Sequence, residues 1–476
     1  MLESSLVVPF VILTSLTIYH ADVRAFSTSP SPASSSLRSR IVIAGGGPCG
    51  LALAHFLVRR GFNITVIESR GDPRGEPLGP RQYSLGLNIR ARTTLSGPNN
   101  GSVWDAIKDQ GVESDRFFVH LGTRIKLNIR QKRSGAPPSL LISRGLLCSA
   151  LLDTLQKFVA DGRLKLMFAK RIDKVDLANR RVILRGSDGE EHSTVPYDFL
   201  AGCDGVRSAV RASLVEAWPQ HMKEDVEILG GEGRVMHVPW PAALEPSAIH
   251  AMASFSAGFG LFIIPGPHNT CCTLVSWSEE RPPALANATS PQEVQRIIAD
   301  AFPQFGKAPL SACEQFLNQE RLISGIVRCD SYWDNGEGRV IIMGDAAHST
   351  GGRLGQGANS AFSDAAAFDQ AVSQCDGNLR KAAELYSERQ TKEGRALLDL
   401  LLLPPPGLLN GFMYGLEQLG RGVLSSLALP VDPPLQTLLS QTLVPFSEIR
   451  RRNAFWIAKQ RPKQKKQRTG LLRTNA

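Results

Sequence analysis

No stretch of this 476-residue chain reads as a bilayer span. Leu6 to Ile18 is apolar but too short, and Leu408 to Leu429 holds Asn410, Glu417, Gln418 and Arg421. That second region is read as a packed or membrane-surface helix. Cysteine is sparse: the eight residues at 49, 148, 203, 271, 272, 313, 329 and 375 show neither a CxxC pair nor metal-like spacing. A redox dithiol and a structural metal are therefore not expected, and the thiols are read as reduced. Acidic residues are missing from Arg450 to Ala476, where ten Lys and Arg account for the whole formal net charge of +10. The remaining body is electrically balanced, which excludes a nucleic-acid-binding face as the main business of the chain. The tail is read first as a solvated segment; peripheral membrane contact through the C-terminal region, on an anionic membrane surface, is the next reading.

The rest of the composition, 42% hydrophobic and 21% charged, is ordinary for a globular enzyme. Residues 1–40 read as an address. The short apolar run is followed by Val23-Arg24-Ala25, a small-residue cleavage pattern, and then by a Ser- and Pro-rich stretch from Phe26 that holds no acid. This resembles the two-part plastid presequences of algae with secondary plastids, although Glu3, and no Lys or Arg, precedes the apolar run. A secretory or mitochondrial leader is the alternative.

The globular part opens with a strand at Ile41–Ala44, a turn at Gly45-Gly-Gly-Pro48-Cys-Gly50, a helix from Leu51 to Arg60, and a second strand from Ile64 to Ile67. In this βαβ frame the GxGxxG pattern has a mechanical meaning. Gly45 permits the tight turn, Gly47 lets a pyrophosphate approach the backbone, and Gly50 lets helix and strand pack closely. Glu68, ending the second strand, can accept from a ribose hydroxyl and would repel a 2′-phosphate. Arg144 opens an amphipathic helix carrying Leu147, Leu151, Leu155 and Phe158 on one face; a cation disfavours that helix end unless an anion is near. Strands at Leu164–Phe168 and Arg181–Leu184 suggest a small antiparallel element.

Two further strand ends carry carboxylates. Asp204-Gly205 follows Tyr197–Cys203 and precedes a helix start, so Asp204 could be only a cap. Val340–Met343 leads into Gly344-Asp345-Ala-Ala-His348 and a loop through Gly355 and Gly357, with a helix from about Asn359. His348, with no partner in view, is read as a packed hydrogen-bonder. Between them, Gly260–Pro265 and Cys271–Trp277 read as paired strands joined at Gly266–Asn269. The expected architecture is α/β: a Rossmann-like dinucleotide-binding domain, for FAD or NAD (41–213 and 331–395), with an inserted antiparallel-sheet substrate domain (214–330). A C-terminal helical region (396–449) and the basic tail (450–476) follow.

The three motifs in this order resemble those of the single-component flavoprotein monooxygenases of the para-hydroxybenzoate hydroxylase type, over roughly residues 40 to 395. Within that family the chain is most similar to the kynurenine 3-monooxygenases, through Pro80–Arg90, Leu261–Asn269, Val327-Arg-Cys329 and Tyr332-Trp333. The resemblance implies FAD as cofactor, NADPH or NADH as reductant, a flavin C4a-hydroperoxide as oxidant, and molecular oxygen with a small aromatic molecule as substrates. It implies that Arg81 and Arg144 approach the flavin, that Asp345 binds the ribityl chain, and that Arg90 holds a substrate carboxylate. No side-chain nucleophile is required. One departure stands out: the loop Ser349–Leu354 lacks the proline usual in that family and places Gly352 and Arg353 there instead. No second GxGxxG follows a strand, which argues against the two-dinucleotide reductases. A plastid flavoprotein epoxidase or reductase acting on an isoprenoid, and a flavin-binding protein without turnover, are the other readings.

Overall fold

The computed structural model describes residues 39–75, 83–97, 101–122, 125–130, 136–185, 193–229, 231–278, 281–319, 324–405, 407–427 and 429–459. The stretch before residue 39 that was expected to be an address, Arg81, and the part of the basic tail beyond residue 459 lie outside the described residues.

Five short apolar segments build the central sheet: β1 (Arg40–Ala44), β2 (Asn63–Ile67), β3 (Leu164–Met167), β4 (Phe199–Gly202) and β5 (Val340–Ile342), in spatial order β5-β4-β1-β2-β3. Every pairing is parallel. Strands buried on both faces cannot alternate with polar residues, which is why β1 and β5 read as continuous aliphatic runs. The Leu164 strand was expected in an antiparallel element with Arg181–Leu184. Instead it closes the edge of the parallel sheet beside β2, and Arg181–Leu184 joins Ile172–Asp176 and Thr194–Pro196 in a separate antiparallel sheet. The helix Arg144–Ala160 leads into this strand, and parallel neighbours need such a crossover connection rather than a tight turn.

The helices that matter for the site are α1 (Pro48–Arg59), α2 (Ile89–Leu95), α3 (Arg144–Ala160), α4 (Ala209–Ala217), α5 (Asp345–His348) and α6 (Gly357–Gln374). α1 starts at Pro48, three residues before the sequence reading, because proline's fixed φ suits the first helical position and its missing N–H costs nothing there. α6 likewise begins at Gly357, two residues ahead of Asn359. On α3 the apolar face holds: Leu147, Leu151, Leu155 and Phe158 are all buried.

A second sheet runs Gly231–Pro239, Thr270–Ser278, Phe259–Gly266, Ile249–Ser254, Phe117–Leu121, Ile125–Asn128 in spatial order. The expected hairpin is there, closing at His268 and Asn269, both with left-handed φ. Val294, Ile298 and Phe316, on the helices Pro291–Ala301 and Leu310–Asn318, pack with Met236, Val275 and Trp277 of this sheet in a core of their own. Four helices end the described chain: α7 (Leu379–Leu400), α8 (Leu408–Ser426), α9 (Leu435–Gln441) and α10 (Phe446–Arg452), then one turn, α11 (Ala454–Ala458). Leu397, Leu400, Leu438, Leu439, Phe446 and Ile449 form a small core shared by α7, α9 and α10.

Candidate active site

The three motif turns meet at one edge of the central sheet. Glycine turn, Asp204 turn and Asp345 turn follow β1, β4 and β5, three neighbours in the sheet, at the carboxyl ends of parallel strands. Open α/β sheets bind ligands at this end. Backbone bonds lock the turns together: Gly45 N donates to Ile67 O at 2.7 Å, Cys203 N to Ala44 O at 2.7 Å and Met343 N to Gly202 O at 3.0 Å.

Each motif glycine has its own reason. Gly45 has φ +102°, and a Cβ there would stand 2.3 Å from Cys203 O. A Cβ on Gly50 would stand 2.0 Å from Gly45 O, so helix and strand can approach only without it. At Gly47 the nearest atom to a Cβ would be Nη2 of Arg144, 3.1 Å away. Gly47 is therefore reserved for closeness to something on the open side, with a guanidinium alongside. Glu68 Oε2 accepts from Gly46 N at 2.8 Å and Oε1 from Arg70 N at 2.9 Å, which fixes the carboxylate at the end of β2.

Arg144 does not stand alone. Arg70, which the sequence reading passed over, has its pKa lowered first by the neighbouring Arg144 charge and then by burial. For Arg144, burial works against the charge while Cys148, Tyr83, Glu68 and Asp345 favour it, and the balance lies above the ordinary value. Two guanidiniums repelling each other beside a glycine turn call for an anion. The signal for Arg70 was its place two residues past the strand-end acid.

Asp345 heads the short α5 and is reached through Gly344, whose φ of +60° and contacts to Cys49 and Ala361 leave no room for a side chain. Its carboxyl is open at the surface yet ringed by protein. Burial in that concavity raises its pKa, against the pull of His348 and Arg144. The carboxylate stands 3.7 Å from where a Cβ of Gly357 would be, at the first turn of α6. α2, α3, α4 and α7 all carry side-chain caps, from Asn88, Ser143, Ser208 and Asn378. α1 and α6 carry none, nor do α5, α8, α9, α10 and α11; α1 and α6 differ in starting at the glycine turn and beside Asp345. Their N-terminal N–H groups are left for a ligand, where the helix dipole favours negative charge.

Two residues turn out to be busy elsewhere. Asp204 accepts from Ser208 Oγ at 2.5 Å, Ala209 N at 2.8 Å and Val210 N at 3.2 Å, so its side chain is used at the first turn of α4 beside the Ser208 cap, and what remains for a ligand is the backbone of Asp204-Gly205. Asn359 is buried. Its Oδ1 accepts from Asn88 N at 2.8 Å and its Nδ2 donates to Gly86 O at 2.9 Å, tying α6 to the segment that carries Arg90. Arg90 is buried over the Phe446 ring, 4.2 Å from its centroid, and donates to Val444 O. Burial lowers its pKa to about 10, with Glu393 acting the other way. Its Nε has no hydrogen-bond partner and the residue lines a cavity of about 300 Å³ with His348, Ser363, Glu393 and Phe446. In the proline-free loop, Gly352 and Arg353 are exposed.

This donor set fits FAD: uncapped helix N-termini and arginines for the pyrophosphate, Glu68 for the adenosine ribose, Asp345 for the ribityl hydroxyls. The FAD binding domain family profile matches residues 38–374. Kynurenine 3-monooxygenase of Sus scrofa is 27% identical over 76% of this chain and 75% of its own. That of Caenorhabditis elegans is 23% identical over 86% and 91%. Among solved structures, the tetrameric form of 2-methyl-3-hydroxypyridine-5-carboxylic acid oxygenase shares the fold with a TM-score of 0.60 at 17% identity, over 81% of this chain and 93% of that one. The chain belongs to the FAD binding domain family, as an FAD-dependent monooxygenase.

Proposed function

We propose that the protein inserts one oxygen atom into a small aromatic acid, using NADPH or NADH to reduce its flavin and a reaction of the kynurenine 3-monooxygenase kind. The observation that carries the reading is the Asp345 carboxylate set beside the uncapped first turn of α6. When bound, FAD supplies the electron transfer and the activation of oxygen. The chain's part is binding, orientation and charge. Gly45, Gly47, Pro48 and Gly50 with the α1 N-terminus take the pyrophosphate, helped by Arg144, Arg70 and the Asp204-Gly205 backbone. Glu68 takes the ribose hydroxyls. Asp345, held by the Gly344 turn, takes the ribityl hydroxyls. The backbone N–H groups of Gly357 and Asn359, at the N-terminus of α6, would stabilise negative charge on the bound flavin as a preorganised dipole. Arg90, with its unpartnered Nε, is placed to hold a substrate carboxylate, and the Phe446 ring beneath it keeps the guanidinium fixed.

Support for the aromatic substrate comes from the relatives' names. The test is direct: the purified protein should be yellow and should oxidise NADPH faster when kynurenine or a phenolic acid is added. Product mass should rise by one oxygen. Turnover with carotenoids alone would favour the isoprenoid reading, and absorbance without NADPH oxidation would favour a flavin-binding protein without turnover.

A further inference from the structure

The cavity that holds Arg90 has a neighbour. On another face of α7, Arg395, Leu398 and Asp399 look into a second cleft of about 350 Å³, a size that takes a small molecule. Its other wall is a two-stranded antiparallel ribbon, Glu224–Ile228 paired with Gly325–Cys329. No residue of the three flavin motifs lines it.

Charge separates this cleft from an ordinary solvated groove. Three of its carboxylates already have an arginine. Glu224 pairs with Arg211 at 2.5 Å, Asp225 with Arg328 at 3.2 Å, and Asp399 with Arg450. Asp330 accepts from the Lys223 backbone N–H at 2.7 Å. The cations are less well served. Lys223 and Arg395 both line the cleft, and among the described residues neither has a carboxylate within ion-pair distance. Arg395 reaches only the Asp330 carbonyl, at 3.0 Å, through one of its nitrogens. A guanidinium with N–H groups to spare beside an ammonium is a donor set that recognises a carboxylate or a phosphate.

One buried residue joins the cleft to the flavin site. Arg211, the partner of Glu224, also donates to Ala346 O at 3.0 Å and to Val206 O at 2.7 Å. Ala346 follows Asp345, and Val206 follows Asp204-Gly205. Glu224 is thus a wall of the cleft and an anchor of the brace behind two of the motif turns. We propose that this cleft binds a small oxyacid, as carboxylate or phosphate, at Lys223 and Arg395, and that its occupancy is felt at the flavin through Glu224 and Arg211. Like-charge repulsion from the bound anion presses the Glu224 carboxylate toward Arg211 and tightens the brace, so FAD is held longer. The inference needs FAD binding only and is independent of which substrate is hydroxylated.

Flavin-loaded full-length protein is titrated with succinate and, separately, with inorganic phosphate, sodium chloride holding the ionic strength constant. Calorimetry reads binding, and the rise of flavin fluorescence on dilution reads FAD release. At least one acid should bind saturably and slow the release by about fivefold, the lower end of ordinary coupling between two sites. Response to succinate alone marks a carboxylic ligand, and response to phosphate alone a phosphorylated one. Lys223→Ala and Arg395→Ala should each weaken binding at least about tenfold without changing flavin content. Arg90→Ala should leave it intact, which separates this cleft from the substrate cavity. Glu224→Gln should keep the acid and lose its effect on FAD release. Saturable binding of neither acid overturns the proposal. So does binding that survives both Lys223→Ala and Arg395→Ala, or that is lost in Arg90→Ala. Binding that leaves FAD release unchanged overturns the link through Arg211.

Discussion

His348 Nε2 lies 2.6 Å from Asp364 Oδ2, with both side chains buried, and the same Asp364 oxygen accepts from Gly344 N at 2.8 Å. One carboxylate on α6 thus holds both the glycine that aims Asp345 and the histidine three residues beyond Asp345. Breaking a buried pair leaves a charge uncompensated, so Asp364→Asn should cost roughly 3 kcal/mol. Urea melts would show it, and FAD should bind more weakly because the Gly344 turn loses its anchor.

The same pair predicts a pH dependence. For His348 burial lowers the pKa and the Asp364 carboxylate raises it; the net shift is upward from 6.5. Stability from a raised histidine is fully present below the unfolded value and lost as pH rises through the folded one. The gap in unfolding free energy between the unsubstituted protein and Asp364→Asn should therefore be largest at about pH 6 and shrink on the alkaline side. A gap that widens with pH would contradict the assignment.

Gly47 and Gly50 should part company under substitution. Gly50→Ala puts a Cβ into backbone, 2.0 Å from Gly45 O, and should lower the melting temperature of the protein even without cofactor. Gly47→Ala meets only the far end of Arg144, a flexible chain, at 3.1 Å. It should leave the apo-protein melt nearly unchanged and weaken FAD binding.

Asp345→Ala should keep the far-UV circular dichroism and lose FAD affinity by about 10- to 100-fold, the worth of one or two hydrogen bonds to a charged acceptor. Flavin retention through gel filtration reads this out.

Arg90→Ala should keep its flavin and raise KM for an acidic aromatic substrate by about 10- to 100-fold. Arg90→Lys should not rescue it, because an ammonium cannot stack on Phe446 while donating to Val444 O.

The parts of the site legible in the sequence are those written locally. Gly45–Gly50 with Glu68, Asp204-Gly205 and Gly344-Asp345 are each a strand end, a turn and a helix start, and the parallel sheet gathers them on one edge because strand polarity leaves no other place. What escaped the reading depends on distant residues. His348 looked isolated because its partner is 16 residues away on α6, one buried face among several. Asn359 read as the start of a helix, and nothing local showed that its side-chain amide is used by Asn88 and Gly86, some 270 residues earlier in the chain. Leu164–Phe168 suggested part of an antiparallel element, because a short apolar strand carries no mark of parallel or antiparallel pairing. The outward face of α8, where Leu409, Phe412, Leu416 and Leu419 are exposed, is a different case. Its apolar content was plain, and which side it faced was not, since periodicity gives a stripe without a direction.

Transfer of one oxygen atom from dioxygen to an aromatic ring is read out by turnover with NADPH and an aromatic acid under isotopically heavy dioxygen, followed by mass spectrometry of the product. One heavy oxygen atom per product molecule is the predicted result. A product of unchanged mass, or oxygen drawn from water, would contradict it.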